Sequence, residues 1–410
     1  MKKSLIKKYA RLVIRRGVNL QKGQDVLIRA NVDQGEFVTY VVEEAYKAGA
    51  RKVEIDWVSP SKVLVSNVKH QSIKTLTTID DWKVARMKHM SDILPAFIYI
   101  ESDPSDALKG MDQKKAAAAQ QANYKIMKEY IEKMENKYQW VIVGVPSKAW
   151  AKEVFPELST AKAVEKLWEN ILFTSRVTDD PIAEWERHDK ELSEHCDYLN
   201  GLGLVGLEYK NAAGTDFSVE LSDEVVWRGG QDVSISGIRF DSNIPTEEVF
   251  TSPIKGKAEG KVVATKPLCY NGELIENFYF VFREGKVVEA HAEKNDALLQ
   301  QMLDMDENAR YLGECALVPF ESPINQTGVL FYNTLYDENA SCHLALGRGF
   351  TDSVKDFEKK TKEDFDRIGI NDSMIHEDFM IGSRDLSVIG TTRDGRKVKI
   401  FENGTWAERT

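Results

Sequence analysis

His376 and Asp378 stand two residues apart in the run His376-Glu377-Asp378-Phe379-Met380-Ile381-Gly382. In an extended strand, residues two apart share a face. The imidazole and the carboxylate would therefore point together, with Met380 beyond, while Glu377 and Phe379 point away. Such a pair can hold a metal ion, although a single copy is also a common surface pattern. Glu247 and Glu248 lie between Pro245 and Pro253 among apolar residues. In a strand they would face opposite ways. An inward one needs a metal, an arginine or a proton, because a buried unpaired carboxylate is costly. Glu314 sits alone in the apolar run Gly313-Glu314-Cys315-Ala316-Leu317-Val318-Pro319. For both segments the competing reading is an edge-strand glutamate facing solvent. The run from Tyr336 to Gly347 gathers Asp337, Glu338 and His343 among small residues, which permit close approach to a shared ligand. Together the four segments offer carboxylates and imidazoles without thiolates. That donor set suits two hard or borderline divalent ions per chain, Zn²⁺, Co²⁺, Mn²⁺ or Mg²⁺. Two such ions about 3.5–4 Å apart form a known hydrolytic arrangement. The other histidines, His70, His89, His188, His195 and His291, read as solvated side chains.

Elements able to position these residues follow from the pattern of the chain. The first half alternates short apolar runs with helical spacing. Strands are expected at Asp25–Arg29, Lys52–Trp57, Ile93–Ile100 and Trp140–Val145, and helices at Glu36–Ala48, stopped by Gly49, and Lys114–Met134. This rhythm predicts an α/β domain with a mostly parallel sheet over residues 1–198. Residues Ala161 to Tyr198 read as helical. Beyond Asn200-Gly201 short β-rich segments alternate with turns, as at Glu284-Gly285 and Asp394-Gly395. Residues 199–410 are therefore expected to form a strand-rich α+β domain that carries the metal site.

The 410 residues carry a net charge of −10, with 42% hydrophobic and 29% charged side chains. This is the composition of a globular chain, and its acidity disfavours nucleic-acid or anionic-membrane partners. No apolar run reaches about 18 residues. Lys7 and Lys8 interrupt the N-terminal apolar stretch before a signal core forms. Four scattered cysteines without a Cys-x-x-Cys pair suit a reducing compartment, so a cytoplasmic protein is expected. Neither a G-x-G-x-x-G sequence nor a P-loop supports nucleotide binding by the first half.

Four ordered motifs, NIPTEEVFTSP at 243–253, LGECALVP at 312–319, DENASCHLALG at 337–347 and HEDFMIG at 376–382, together resemble the M29 family of metallo-aminopeptidases. The resemblance spans nearly the whole chain. It implies metal ligands at Glu248, Glu314, His343, His376 and Asp378, with Glu314 as the bridging carboxylate and Glu338 as a further carboxylate near the ions. The choice of Glu248 over Glu247 comes from the family spacing to Glu314. The resemblance also implies a homodimer and peptide substrates. One position departs from the family: Phe350 stands where a tyrosine is usual, and phenylalanine has no hydroxyl to donate to an oxyanion.

The expected reaction is hydrolysis of N-terminal residues from short peptides by metal-activated water, with Glu247 as a candidate general base. Two rivals stand beside it. One is a ring-cleaving dioxygenase with a single iron held by two histidines and a carboxylate. The other is a metal- or peptide-binding relative without turnover, suggested by Phe350.

Overall fold

The structure is a computed structural model that describes residues 2–408; Met1 and residues 409–410 lie outside the described residues. The chain forms two compact units, Met1–Glu186 with Gln231–Pro245, and Arg187–Gly230 with Thr246–Thr410. The dividing point expected at residue 198 falls inside a helix, Pro181–Leu202. Asn200-Gly201, read as a break, occupies that helix's last turn, and the backbone turns only at Gly203, where φ is 58°.

The first unit is built on a five-stranded sheet ordered Asn243–Ile244, Trp140–Gly144, Ala96–Glu101, Asp25–Asn31 and Lys52–Val58. Every pairing is parallel, as the sequence rhythm predicts. Val26, Leu27 and Ile28 are buried in succession, as are Ala96, Phe97 and Ile98, the continuous apolar pattern of strands covered on both faces. The helix Gly35–Ala48 ends where Gly49 takes φ 101°, a left-handed cap that glycine adopts without a Cβ penalty. The long helix Gln113–Met134 begins at Asp112, whose side chain accepts the Lys115 N–H. The single helical stretch expected over 161–198 is instead two helices, Thr160–Thr174 and Pro181–Leu202. Past the end of the first helix, Arg176 takes a left-handed φ of 53°, and the fixed φ of Pro181 suits the first turn of the second.

The second unit holds a nine-stranded sheet and a five-stranded one. The expected hairpins are present: Glu273–Arg283 pairs with Lys286–Lys294 around Gly285, and Ser387–Thr392 with Lys397–Glu402 around Gly395. The five-stranded sheet is ordered His376–Met380, His343–Gly347, Leu312–Leu317, Val249–Thr251 and Arg228–Gly229, and its neighbours run antiparallel. One face carries Leu317, Leu344, Leu346 and Phe379 into the main core, where the Phe379 ring lies 4.9 Å from that of Phe280. Burying each of these side chains stabilises the sheet by roughly 1.5–3 kcal/mol. The other face carries the candidate ligands.

Candidate metal centre

Strand register assembles the site. Glu314 pairs with Ala345, and Ala345 with Asp378. The three side chains form one row across three strands, with only a methyl group between the two carboxylates. The next rows place Ala316 beside His343 and Gly347 beside His376. Phe250 pairs with Ala316, so Glu248, two residues before Phe250, belongs to this face by alternation. Small side chains thus alternate with ligating ones. Gly347 has φ 99°, and a Cβ there would stand 2.1 Å from the Ile375 carbonyl oxygen. Gly313 sits at a register shift, and its Cβ would stand 2.2 Å from the Arg348 carbonyl oxygen. No larger residue fits at either place.

Two groups of possible ligand atoms result: Glu248, Glu314 and His343, and Glu314, His376 and Asp378, each with its atoms within 4.8 Å of one another. Glu314 belongs to both. His343 Nε2 lies 3.2 Å from Glu248 Oε2. His376 Nε2 lies 3.1 Å from Glu314 Oε2 and 3.3 Å from Asp378 Oδ1. The other ring nitrogens are engaged: His376 Nδ1 donates to the Arg348 carbonyl at 2.6 Å, and His343 Nδ1 to the Ser341 carbonyl at 3.3 Å. A carbonyl only accepts, so each Nδ1 carries the proton and each Nε2 is free to ligate.

The charge balance calls for cations. Glu314, His343 and Asp378 are all buried. Burial, with the charges of Glu248 and Asp378, pushes Glu314 up to about 7 despite its bond to His376. Burial opposes the charged form of His343, but Glu248, Asp378 and Glu314 raise it to about 9. His376 rises well above its ordinary value against the same opposition, driven by Asp378 and Glu314. Asp378 is correspondingly lowered by His376 against the effect of its own burial. Without a cation, this cluster satisfies its carboxylates only by holding protons. Divalent ions fit the donor set, and oxygen and imidazole ligands without sulfur suit hard or borderline metals.

The remaining expected residues fall around this core. Glu338 lies outside both groups, where its Oε1 accepts from Asn339 Nδ2 at 3.3 Å and it acts with His376 to lower Asp378. Burial and the surrounding carboxylates hold Glu338 itself well above the usual carboxylate range. Glu247 is buried, 5% exposed, and belongs to neither group; its Oε2 lies 3.8 Å from His188 Nε2. Phe350 is at the site, its ring 4.8 Å from that of His376 and 5.2 Å from that of Phe250.

Two residues of this neighbourhood escaped the sequence reading. His188, expected to be solvated, is buried and its Nε2 lies 2.8 Å from the Thr246 carbonyl. Its helical spacing to the buried Trp185, Leu192 and Leu199 was a usable signal. Asn339 is completely buried between ligand segments; an asparagine inside a polar motif gave no such signal.

A family model described as thermophilic metalloprotease (M29) matches residues 2–406. The chain belongs to the M29 family. Among M29 relatives, it is 40% identical to aminopeptidase AmpS of Bacillus subtilis over 403 residues, 97% of each chain. It is 36% identical to aminopeptidase T of Thermus thermophilus over 403 residues, 98% of each chain. The solved structure of wild-type AmpT from Thermus thermophilus superposes with a TM-score of 0.90 at 35% identity, covering 99% of both chains. M29 membership makes the protein a metallo-hydrolase of peptide bonds. A 2,5-dihydroxypyridine dioxygenase from Pseudomonas putida shares the fold, with a TM-score of 0.55 at 11% identity.

Proposed function

We propose that this M29 chain is an aminopeptidase that removes N-terminal residues from short peptides with two divalent ions, held by Glu248, Glu314, His343, His376 and Asp378. The observation that carries the reading is the membership of Glu314 in both ligand groups, which suits a carboxylate bridging two ions. The relatives' names add the exopeptidase activity. The ions, when bound, would acidify a water molecule and polarise the scissile carbonyl.

The protein's own groups do the rest. The Nδ1 bonds of the two histidines keep both Nε2 atoms turned toward the carboxylates. Glu338 completes the acidic surround as a further ligand or as holder of a proton beside Asp378. The substrate's free amino terminus would sit against an ion or an acidic side chain of the site, which favours cleavage of the first peptide bond. Glu247 takes the proton of the attacking water, whose oxygen bonds to the carbonyl carbon. The proton then passes to the leaving nitrogen as the C–N bond breaks. Supporting this role, Glu247 adjoins Glu248 in the chain and is buried beside His188.

The single-iron alternative asks for two imidazoles and a carboxylate on one ion. Here each ligand group contains one histidine, which favours the hydrolase. The proposal extends to a cytoplasmic homodimer, supported by the family resemblance and by four free cysteines. Metal analysis together with turnover of leucine, arginine, glutamate and alanine nitroanilides tests the reading. Two ions per chain and chelator-sensitive release of nitroaniline are expected. One iron per chain with oxygen consumption, or bound metal without turnover, would overturn it. Light scattering at the mass of two chains tests the dimer.

A further inference from the structure

The first unit contains a cavity of about 500 Å³ lined by Arg11, Arg15, Arg16 and Arg239, with Gln231 and Glu186. Arg11 closes the helix Lys3–Leu12, and Arg15 and Arg16 lie on the π-helical turn Val13–Gly17 that continues it. Arg11 and Arg15, four residues apart, share a face. Isolated π-turns are uncommon and frequent at functional sites.

Arg239 comes from the segment Gln231–Pro245, which returns to the first unit. Three contacts fix that return. The Asp241 N–H donates to the Arg16 carbonyl at 3.1 Å. Asn19 Nδ2 donates to the Arg239 carbonyl at 2.7 Å. Asn243–Ile244 pairs with Ile142 and Val143. The Arg16 guanidinium is held by the fully buried Asp241, with Nε 2.9 Å from Oδ2. Arg11, Arg15 and Arg239 are exposed and have no carboxylate partner among the described residues. Four guanidinium groups therefore face one cavity against Glu186 and the Asp241 behind Arg16, in a chain whose net charge is −10.

We propose that this cavity is a binding site for a small multivalent phosphate-type anion. Guanidinium forks match phosphate oxygens in pairs. The volume lies within the range of small-molecule sites, about 300–1,000 Å³. The overall negative charge repels an extended polyanion but leaves a local positive well for a compact one. The site does not depend on the proposed peptidase chemistry.

Calorimetric titration of the intact enzyme with pyrophosphate, and separately with inorganic phosphate, at fixed ionic strength tests this. One site per chain is expected, tighter for pyrophosphate and weakened by added salt. Arg15→Gln and Arg239→Gln should each weaken it on the order of tenfold, with unchanged thermal melting and nitroanilide turnover. Binding should persist in His343→Ala, which separates this cavity from the metal centre. Absence of binding at millimolar pyrophosphate, equal affinity in the arginine variants, or loss of binding in His343→Ala would each overturn the proposal. So would displacement of pyrophosphate by a nucleic-acid oligomer that binds more tightly.

Discussion

The backbone N–H of Glu247 donates to the side-chain oxygen of Asn339 at 2.7 Å. The amide nitrogen of the same asparagine donates to the Leu335 carbonyl at 3.0 Å and to Glu338 Oε1 at 3.3 Å. One buried amide therefore ties the segment bearing Glu248 to the segment bearing Glu338 and His343.

Replacing Asn339 with leucine keeps its bulk and leaves the Glu247 N–H unsatisfied, which costs about 1–3 kcal/mol of stability. Metal affinity should fall by roughly 10–100-fold, the usual effect of removing support behind a ligand. Competition with a chelator measures the loss. Unchanged metal retention would show that Glu248 is held without Asn339.

Glu247→Gln and Glu338→Gln separate the two carboxylates outside the ligand groups. Glu247→Gln should lower kcat by about 10²–10⁴ while metal content stays full. Glu338→Gln should reduce metal content first. The opposite pattern would exchange their roles.

Metal affinity should climb with pH. In the metal-free chain Glu314 titrates near 7, raised first by burial, and His343 near 9, raised by the surrounding carboxylates against its burial. Metal entry must displace those protons. A raised pKa means that the proton is still present at neutral pH, so affinity increases through about 7 and on toward about 9. A flat profile from pH 6 to 9, measured by metal titration, would contradict the burial and pairing described above.

Phe350→Tyr places a hydroxyl beside His376. An added oxyanion donor should raise kcat, on the order of tenfold, with little change in KM. Steady-state kinetics on leucine nitroanilide decides. No gain would mean that another group already supplies that hydrogen bond.

Much of this was legible in the sequence because it rests on period-two alternation. His376, Asp378 and Phe379 fall on the faces their spacing predicts, and Gly49, Gly285 and Gly395 turn the chain where expected. What alternation does not encode is register. That Glu314, Ala345 and Asp378 share a row depends on three strands contributed by separate segments and on a shift at Gly313. The same limit hid the return of Gln231–Pro245 to the first unit. Only two of its residues join the five-stranded sheet of that unit, too short a run to carry a pattern. Glu247 and Glu248 looked equivalent for a related reason. Only the pairing of Phe250 with Ala316 says which side the ligand faces.

That returning segment has a consequence during synthesis on the ribosome. The strand Trp140–Gly144 receives its outer neighbour from Asn243–Ile244, and Arg16 waits for Asp241. Both partners emerge only after Arg187–Gly230, the opening stretch of the second unit, has been made. The nascent first unit therefore carries an open sheet edge, the kind of surface that invites mispairing. The order of translation interleaves the two units, and neither is finished before the other has begun.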